Sequence, residues 1–297
     1  MQRTGPRIRL VPRALVVSAA APRALPLVKW AGGKRGLIEQ LLRYVPVDFG
    51  TYYEPFAGGA TLFFHLGPAR AVLADANPHL IELYTIARDR PEALAAALDA
   101  LQPHVLDKTF YYEMRRRLPE TLDPVQRAAR LIYLNKTCYN GLYRENSRGE
   151  FNVPFGRYHR PPTLYQRDNL LAVAAALRHA RLLCCDFAEA VHDAAPGDFI
   201  YFDPPYVPLN TTASFTRYTR DAFSEEDQRR LARVFLELAK RGCHVLLSNS
   251  DTPLVRALYA DFAIEEVRAG RNINSRASGR APISELLIST HPPAREL

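Results

Sequence analysis

Four consecutive residues, Asp203-Pro204-Pro205-Tyr206, directly follow the short apolar run Phe199–Phe202, which has the composition of a buried strand. Two adjacent prolines lack N–H groups and restrict the backbone, so that nearby carbonyls and side chains project in set directions. The Asp203 carboxylate and the Pro204 carbonyl can then both accept hydrogen bonds from one NH2 group, and Tyr206 offers a ring on which a planar base can stack. The alternative is a tight turn that only ends a strand.

Such a pair of acceptors suits one kind of chemistry. An aromatic exocyclic amine is a poor nucleophile because its lone pair is delocalised into the ring. Acceptors on its hydrogens favour rehybridisation and stabilise the charge that develops on nitrogen as it attacks an electrophilic methyl group. The motif therefore indicates alkylation of an aromatic amine.

A second group of residues predicts a nucleotide-type ligand site. The Glu-Pro-Phe-Ala-Gly-Gly segment at 54–59 follows a strand, and its glycines let the backbone approach a ligand closely. Gly58 and Gly59 do not form a GxGxxG motif, which makes a dinucleotide site a weak interpretation. Asp75 ends the next strand about twenty residues later, where a carboxylate suits ribose hydroxyls.

The stretch Asn135–Tyr158 and the residues just after it combine aromatic residues with basic ones. Only Glu145 and Glu150 oppose the charge of Lys136, Arg144, Arg148, Arg157 and Arg160. This interleaving is typical of phosphate contacts combined with base-edge contacts and stacking. We expect a long functional loop here, and the alternative is a solvated basic loop.

The net charge of +8 permits a nucleic-acid partner, although its distribution matters. Five arginines and no acidic residue lie in the leader 1–26, which therefore supplies five of those eight charges. We expect this leader to be a disordered basic extension or the product of an over-extended reading frame. A secretion or transit signal is the alternative.

The remaining composition argues for a cytoplasmic protein without a metal. The four cysteines form no CxxC pair, and Cys184–Cys185 lies in an apolar run that suggests core packing rather than a disulfide. None of the eight histidines has paired ligand spacing, so no metal site is expected. No apolar run approaches the roughly 20 residues of a membrane-spanning helix.

Alternating strands and helices predict an α/β fold with a doubly wound, Rossmann-like sheet. The predicted strands are Tyr52–Glu54, Ala71–Ala74, Arg181–Cys185, Phe199–Phe202, His244–Leu247 and Glu285–Ser289. The predicted helices are Thr61–Leu66, Pro91–Leu101, Pro124–Leu134, Ser224–Arg241 and one that starts at Thr252-Pro253. The helical character between the two α/β blocks predicts a catalytic domain of residues 27–77 and 171–297, with an inserted recognition domain of residues 78–170.

From Lys29 to about Ser289 the chain resembles the Dam family (alpha subclass, D12 class) of DNA adenine-N6 methyltransferases. The motifs that carry the resemblance occur in the family's order: Lys29-Trp30-Ala31-Gly32-Gly33-Lys34, Glu54 to Gly59, Asp75-Ala76-Asn77, Asn140-Gly141-Leu142, Gly149 to Gly156, and Asp203 to Tyr206. Where family motifs often have Gly-Ala-Gly, this chain has Ala57-Gly58-Gly59-Ala60. The resemblance implies an S-adenosylmethionine-dependent methyltransferase sheet, mostly parallel with an antiparallel last strand, and a helical target-recognition insert.

The resemblance also implies roles for individual residues. The implied cofactor-binding residues are Trp30, Lys34, Glu54, Pro55, Phe56, Gly58, Gly59, Asp75, Asp186, Phe187 and Asp203, of which Asp186 and Phe187 would address the cofactor adenine. From the residues alone, Asp186 could instead be a helix N-cap and Lys34 a solvated lysine. The implied catalytic residues are Asp203, Pro204, Pro205 and Tyr206.

On the DNA side, the resemblance implies that Tyr139 wedges into the base stack and that Arg144 reads guanine. Leu142 and Pro154 would meet the thymine methyl group, and Lys29 and Tyr158 would lie near the outer base pair. Asn140 and Arg157 complete the implied DNA-binding set. These matches imply base flipping within GATC in double-stranded DNA, by a monomer without a metal.

Two rival functions remain at this stage. One keeps the fold and changes the acceptor to cytosine N4, RNA or a glutamine side chain, for which Ser or Asn in place of Asp203 would be more typical. Methylation of cytosine C5 needs a cysteine, usually after proline, and no Pro-Cys pair occurs. The other rival is a catalytically silent DNA-binding protein, against which the intact motifs argue.

Overall fold

The computed structural model describes residues 23–206, 223–269 and 283–294, and a seven-stranded sheet forms the centre of this part. The strands are β1 (Tyr52–Glu54), β2 (Ala71–Ala74), β3 (Ala180–Leu183), β4 (Phe199–Phe202), β5 (His244–Ser250), β6 (Ala263–Ala269) and β7 (Ile283–Ser289). Their order is β3-β2-β1-β4-β5-β7-β6, and β7 runs antiparallel to both neighbours, whereas the other pairs are parallel. The predicted sheet is confirmed. Residues 1–22 of the predicted leader lie outside the described residues.

The strand order reverses between β1 and β4, which are neighbours in space but distant in sequence. In open α/β sheets, ligands bind in the crevice beyond the carboxyl ends of the strands at such a switch point. The glycine turn follows β1 and Asp203 follows β4 directly. The topology therefore brings the two predicted sites to one crevice.

The pleat of the strands divides the core into two layers, because successive side chains point to opposite faces. One face packs against α1 to α7 and carries Tyr52, Leu73, Phe199, Tyr201, Leu246 and Leu287. The other packs against α8 to α10 and carries Tyr53, Val72, Ile200, Phe202, Val245, Leu247, Leu286 and Ile288.

Five helices, α2, α4, α6, α9 and α10, begin close to the residues that the sequence indicates, and the other helices of the described residues were not predicted. The first layer contains α1 (Ile38–Arg43), α2 (Thr61–Leu66), α3 (Pro78–Asp89), α4 (Pro91–Leu101), α5 (Lys108–Arg116), α6 (Pro124–Thr137) and α7 (Arg167–Leu177). The second contains α8 (Phe187–Ala190), α9 (Glu225–Lys240) and α10 (Pro253–Leu258). Helix α9 starts with the expected capping box, in which Ser224 and Asp227 bond to each other's backbone N–H.

Three sequence expectations need correction. Strand β3 ends at Leu183, so Cys184 is exposed and Cys185 is half-buried, and the predicted core packing of this pair is wrong. Strand β6 is absent from the sequence-based prediction because its centre, Glu265-Glu266, is charged, as suits an edge strand. Helix α6 continues to Thr137, so the predicted loop starts three residues too early.

The segment after α6 has little regular secondary structure, but it is not a free loop. A 3-10 turn at Tyr139–Gly141 is followed by two antiparallel bridges, Cys138 to Phe155 and Glu145 to Phe151. Its interior residues Tyr143, Phe151 and Val153 belong to the same core as α3 to α7. We call residues 138–156 the recognition hairpin below. The division of the chain into two domains stays a prediction.

Two asparagine side chains hold the segment that precedes the first helix. The Asn135 amide accepts from the Lys29 N–H at 2.8 Å and donates to the Lys29 carbonyl at 2.7 Å and to the Gly141 carbonyl at 3.0 Å. Asn169 makes the same pair of bonds to Leu25, at 2.7 and 3.0 Å. Asn135 is fully buried, whereas Asn169 is partly accessible. Asn135 therefore fixes Lys29 relative to the recognition hairpin.

We expect Asn135→Ala to lower the free energy of unfolding by about 2–3 kcal/mol, because it removes three hydrogen bonds of a fully buried amide, one of which holds the buried Gly141 carbonyl. Asn169→Ala, the matched control, is expected to cost less than about 1 kcal/mol, since water can reach Leu25. Urea unfolding followed by circular dichroism measures both. Equal losses for the two variants would contradict the role of burial.

Candidate active site

The pleat brings five polar side chains from four strands to the same face of the sheet. Four of them lie on the side of the sheet that faces the first core layer: Glu54, Tyr201, Ser248 and Glu285. Asp203 lies two positions after Tyr201, just beyond β4, and so continues the same alternation. Glu285 pairs with Ser250 in the register of β5 and β7, which places it beside the end of β4. A single face of the crevice therefore carries three carboxyl groups.

The Lys34 ammonium is the counter-charge of this acidic cluster. It lies 2.8 Å from Asp203 Oδ1 and 3.9 Å from Glu285 Oε2, and it donates to the Gly32 carbonyl at 2.8 Å. It also lies 4.6 Å from the centroid of the Tyr206 ring. Lys34 is only 5% exposed, so the interpretation of a solvated lysine is wrong.

The Asp203 carboxylate is oriented by its neighbours. Oδ1 accepts from Lys34 and, at 2.8 Å, from the Ser248 hydroxyl, which is itself 3.0 Å from the hydroxyl of buried Tyr201. Within the described parts of the chain, no donor is bonded to Asp203 Oδ2 or to the Pro204 carbonyl oxygen. Two acceptors next to each other in the chain therefore remain available for an NH2 group.

The two prolines and the tyrosine of the motif are also held in place. The Pro205 carbonyl accepts from the Gln228 amide at 3.1 Å, and Asn249 fixes Gln228 at 3.0 Å. The Tyr206 hydroxyl donates to Glu285 Oε2 at 2.6 Å. Burial raises the pKa of Glu285, and the Lys34 ammonium opposes that rise. The motif is thus anchored to α9 and to β7.

Glu54 lies below the crevice rather than at its surface. Its Oε2 accepts from the Tyr52 hydroxyl at 2.9 Å and from the Phe63 N–H at 3.3 Å. Burial raises the pKa of Glu54 from its usual 4.5 to about 8, and the nearby Asp203 charge adds to this rise. Through these hydrogen bonds, Glu54 connects β1 to the start of α2.

The glycine turn approaches Trp30 closely. Gly58 has φ of +46°, and a Cβ built on it would lie 2.8 Å from Trp30 Cδ1, so that only glycine fits here. The Gly58 N–H donates to Asp75 Oδ2 at 3.0 Å, and its carbonyl accepts from the Tyr84 hydroxyl at 2.5 Å. The Asn77 N–H donates to Asp75 Oδ1 at 2.9 Å. Asp75 therefore ties the turn after β1 to the end of β2.

The neighbouring residues of the turn make further contacts around it. Gly59 is buried in ordinary contact with Trp30, and Pro55 is also buried. Phe56 stacks on Phe187, with ring centroids 5.4 Å apart. Asp186 accepts from the Ala188 N–H at 2.9 Å as the N-cap of α8. The start of α8 and the glycine turn therefore share one aromatic pair.

Asp186 has a second partner besides the helix that it caps. Both its carboxylate oxygens accept from Arg230, at 2.8 and 2.7 Å. The N-cap interpretation of the sequence thus matches the structure, and any contact of Asp186 with a ligand stays a prediction.

The predicted DNA-contacting residues come together around the recognition hairpin. Lys29 lies against Gly141, where a Cβ would approach Lys29 Cδ to 2.5 Å. The Tyr158 hydroxyl is 2.8 Å from the Lys136 carbonyl and 2.7 Å from the Cys138 carbonyl, so it supports the end of α6. Lys29, Asn140, Arg144, Pro154 and Arg157 are exposed, and Tyr139, Leu142 and Tyr158 are half-buried.

The Arg144 guanidinium is held through its Nε. Its Nε donates to Asn152 Oδ1 at 2.7 Å, while the side chain as a whole is exposed. Next to it, Tyr143 stacks on Trp30 with centroids 5.0 Å apart. Trp30 therefore contacts both the glycine turn and the recognition hairpin.

A sequence profile of the D12 class of N6 adenine-specific DNA methyltransferases matches residues 30–273. The chain belongs to this family. It is 39% identical over 275 residues to the Type II methyltransferase M1.LlaDCHI of Lactococcus lactis subsp. cremoris, covering 90% of this chain and 95% of that protein. It is 38% identical to the Type II methyltransferase M.MjaIII of Methanocaldococcus jannaschii (90% and 99%) and to the DNA adenine methylase of Escherichia coli K12 (89% and 95%).

The protein is thus an adenine-specific DNA methyltransferase, as predicted, and it acts on DNA with a donated methyl group. In the described ranges of this methyltransferase, no helix is long and apolar enough to cross a membrane. The same ranges contain no group of three histidine, cysteine or acidic side chains placed to hold a metal ion.

Three residues of the methyltransferase site escaped the sequence analysis. Ser248, Glu285 and Asn135 belong to no motif, and their roles depend on partners between 6 and 106 positions away. The alternation of side chains along a strand does contain a signal for Ser248 and Glu285, because each falls on the buried face of its strand. Using it requires the register of β5 and β7, which the sequence does not specify.

The buried Glu54 predicts a pH-dependent stability. The folded state holds the Glu54 proton more tightly than the unfolded chain does, so this group stabilises the fold at low pH. That stabilisation is lost as pH rises from the usual pKa of 4.5 to the folded value of about 8. We therefore expect Glu54→Gln to flatten the decline in unfolding free energy over this range. Urea unfolding of both proteins across the range measures it.

Glu113→Gln on the exposed side of α5 serves as the control, since its decline should match that of the unmodified protein. A Glu54→Gln variant with the same slope as the unmodified protein would refute the assignment.

Proposed function

We propose that this methyltransferase transfers the methyl group of S-adenosylmethionine to N6 of an adenine that is flipped out of double-stranded DNA, within the sequence GATC. The observation that supports this most is the pair of available acceptors at Asp203 Oδ2 and the Pro204 carbonyl. They follow one another on a backbone that two prolines restrict. An amine with two hydrogens fits this pair.

The residues of the Asp203–Tyr206 motif, which we call the catalytic corner, act on the amine by position. Asp203 is held through Oδ1 by Lys34 and Ser248, so that its second oxygen is oriented before the substrate arrives. Acceptors that need no reorganisation stabilise the charge that grows on N6 better than water does. Tyr206 offers its ring for stacking of the base. The chain thus contributes orientation and electrostatics rather than a covalent intermediate.

The glycine turn and its surroundings fit S-adenosylmethionine. Gly58 leaves no room for a side chain, Trp30 and Phe56 provide apolar surface, and Asp75 lies at the strand end where ribose binds in such sheets. When bound, the cofactor supplies an electrophilic methyl group on a sulfonium. Trp30, Lys34, Asp75 and Asp203 would hold its methionine and ribose parts, and Asp186 and Phe187 would flank its adenine.

The recognition hairpin supports sequence-specific contact with DNA. Arg144 has its Nε bonded to Asn152, which leaves both terminal nitrogens to donate to guanine O6 and N7. Tyr139 would fill the space of the flipped adenine, a step that costs a few kcal/mol. Leu142 and Pro154 would contact the thymine methyl group, and Lys29 and Tyr158 the outer base pair.

Asn140 and Arg157 lie exposed on the same hairpin surface, where phosphate oxygens would be within reach. We further propose that the protein acts as a monomer, in the cytoplasm and on the nucleoid.

Expression in a host that lacks DNA methylation tests the proposed function. We expect N6-methyladenine at GATC sites and at no other tetranucleotide. Asp203→Ala should reduce methyl transfer by at least about a thousandfold, since both the acceptor and its orientation are lost, while DNA binding stays within about threefold. Methyl groups on cytosine, methylation at other sites, or activity of Asp203→Ala within about tenfold would contradict the proposal.

Arg144→Ala should relax sequence choice, because one good guanine contact is worth about 1–3 kcal/mol of discrimination. The ratio of single-turnover rates on GATC and on a duplex with the guanine replaced measures this. Arg148→Ala in the same hairpin is the control, and it should weaken binding to all sequences equally. An unchanged ratio for Arg144→Ala would show that another residue reads the guanine.

A further inference from the structure

Glu285 contacts two residues of the proposed site that are distant in sequence, Tyr206 and Lys34. Its Oε2 accepts from the Tyr206 hydroxyl at 2.6 Å and is 3.9 Å from the Lys34 ammonium. Its side chain is 15% exposed. Strand β7, which carries it, pairs with β5 through Ser250 and with β6 through Val267. Glu285 is therefore a half-buried acceptor on a strand that is paired on both sides.

Tyr206 follows the sheet without being part of it. It lies beyond the end of β4. Its predicted role, stacking of the target base, requires a ring with a defined plane. Two contacts define that plane: the hydroxyl is bonded to Glu285, and the ring lies against the Lys34 ammonium at 4.6 Å. Lys34 is in turn bonded to Asp203 at 2.8 Å. Tyr206, Glu285 and Lys34 thus contact one another, and Lys34 connects them to Asp203.

We propose that Glu285 is a positioning residue for methyl transfer, which fixes the Tyr206 ring in the orientation on which the target adenine stacks. The proposal rests on the proposed function of Tyr206. A tyrosine ring that is already oriented loses less conformational freedom when the base arrives, so more of the stacking energy serves to hold the base. Glu285 acts through the phenol and touches neither the base nor the methyl group.

A different role for Glu285 would be to balance the charge of Lys34 alone. The two roles differ in their dependence on the Tyr206 hydroxyl. Charge balance persists when that hydroxyl is removed, whereas positioning through the phenol does not. A double-mutant cycle between Glu285 and Tyr206 separates the two roles.

The cycle compares Glu285→Met, Tyr206→Phe and the double variant by single-turnover methyl transfer to a GATC duplex. Methionine fills the space of glutamate without an acceptor, and phenylalanine keeps the ring. We expect each single variant to lose at least about tenfold in rate, because each breaks a hydrogen bond to a charged group. The double variant should lose no more than about threefold beyond Tyr206→Phe. DNA affinity, measured by fluorescence anisotropy, should change less than about threefold throughout.

Two further variants complete the design. Glu285→Gln keeps an acceptor for the phenol and should retain at least about a third of the rate, even if Glu285→Met fails to fold. Glu237→Gln, on the exposed side of α9, should match the unmodified protein. Additive losses in the cycle, a Glu285→Met rate close to that of the unmodified protein, or a Glu285→Gln loss as large as that of Tyr206→Phe would overturn the proposal.

Asp203→Ala in the same assay distinguishes this inference from the proposed function. If Asp203→Ala remains active, the whole catalytic corner is misassigned. If it is inactive while the Glu285 cycle is additive, the corner stands and only the role of Glu285 is wrong.

Discussion

One lysine ammonium shared between two carboxylates connects the Asp203–Tyr206 motif to strand β7. Lys34 comes from the segment before α1, Asp203 from the end of β4 and Glu285 from β7, and no other described cation is paired with either carboxylate. A buried charge is costly unless it is paired. Removing Lys34 would leave two carboxylates facing each other with little water to separate them. The position of the first segment is thus coupled to the geometry of the last strand.

That dependence explains why the segment before α1 is held so firmly. Asn135 and Asn169 bond to both backbone groups of Lys29 and Leu25, respectively, and Trp30 packs between the glycine turn and Tyr143 of the recognition hairpin. A shift of this segment would move Lys34 and Trp30 at once. The glycine turn and the recognition hairpin, our proposed cofactor and DNA contacts, therefore share one structural support, as a fixed mutual orientation of the two substrates would require.

The roles of the acidic residues follow from their environment rather than from their type. Glu54 is bonded to Tyr52 and to the start of α2, and burial raises its pKa to about 8, so it serves the fold as a neutral or nearly neutral group at physiological pH. Asp75 is engaged by two backbone N–H groups and shapes the glycine turn. Asp203 is held through Oδ1 by Lys34 and Ser248, and the neighbouring Pro204 carbonyl accepts no hydrogen bond from the described residues, which is why we propose this pair as the substrate acceptors.

The amino-acid sequence by itself determined the fold class, most strand limits and about half of the helices in the described chain, and it pointed to the Asp203–Tyr206 motif. Those features are local: a proline pair, a glycine turn and a capping box act over a few residues, so the pattern alone reveals them. The tertiary structure decided which partners meet. Ser248, Glu285 and Asn135 gain their roles from the register of β5 with β7 and from the packing of α6 against the segment at Lys29. Hydrogen bonds between distant residues depend on that register, and a shift of one residue would turn each strand side chain to the opposite face of the sheet.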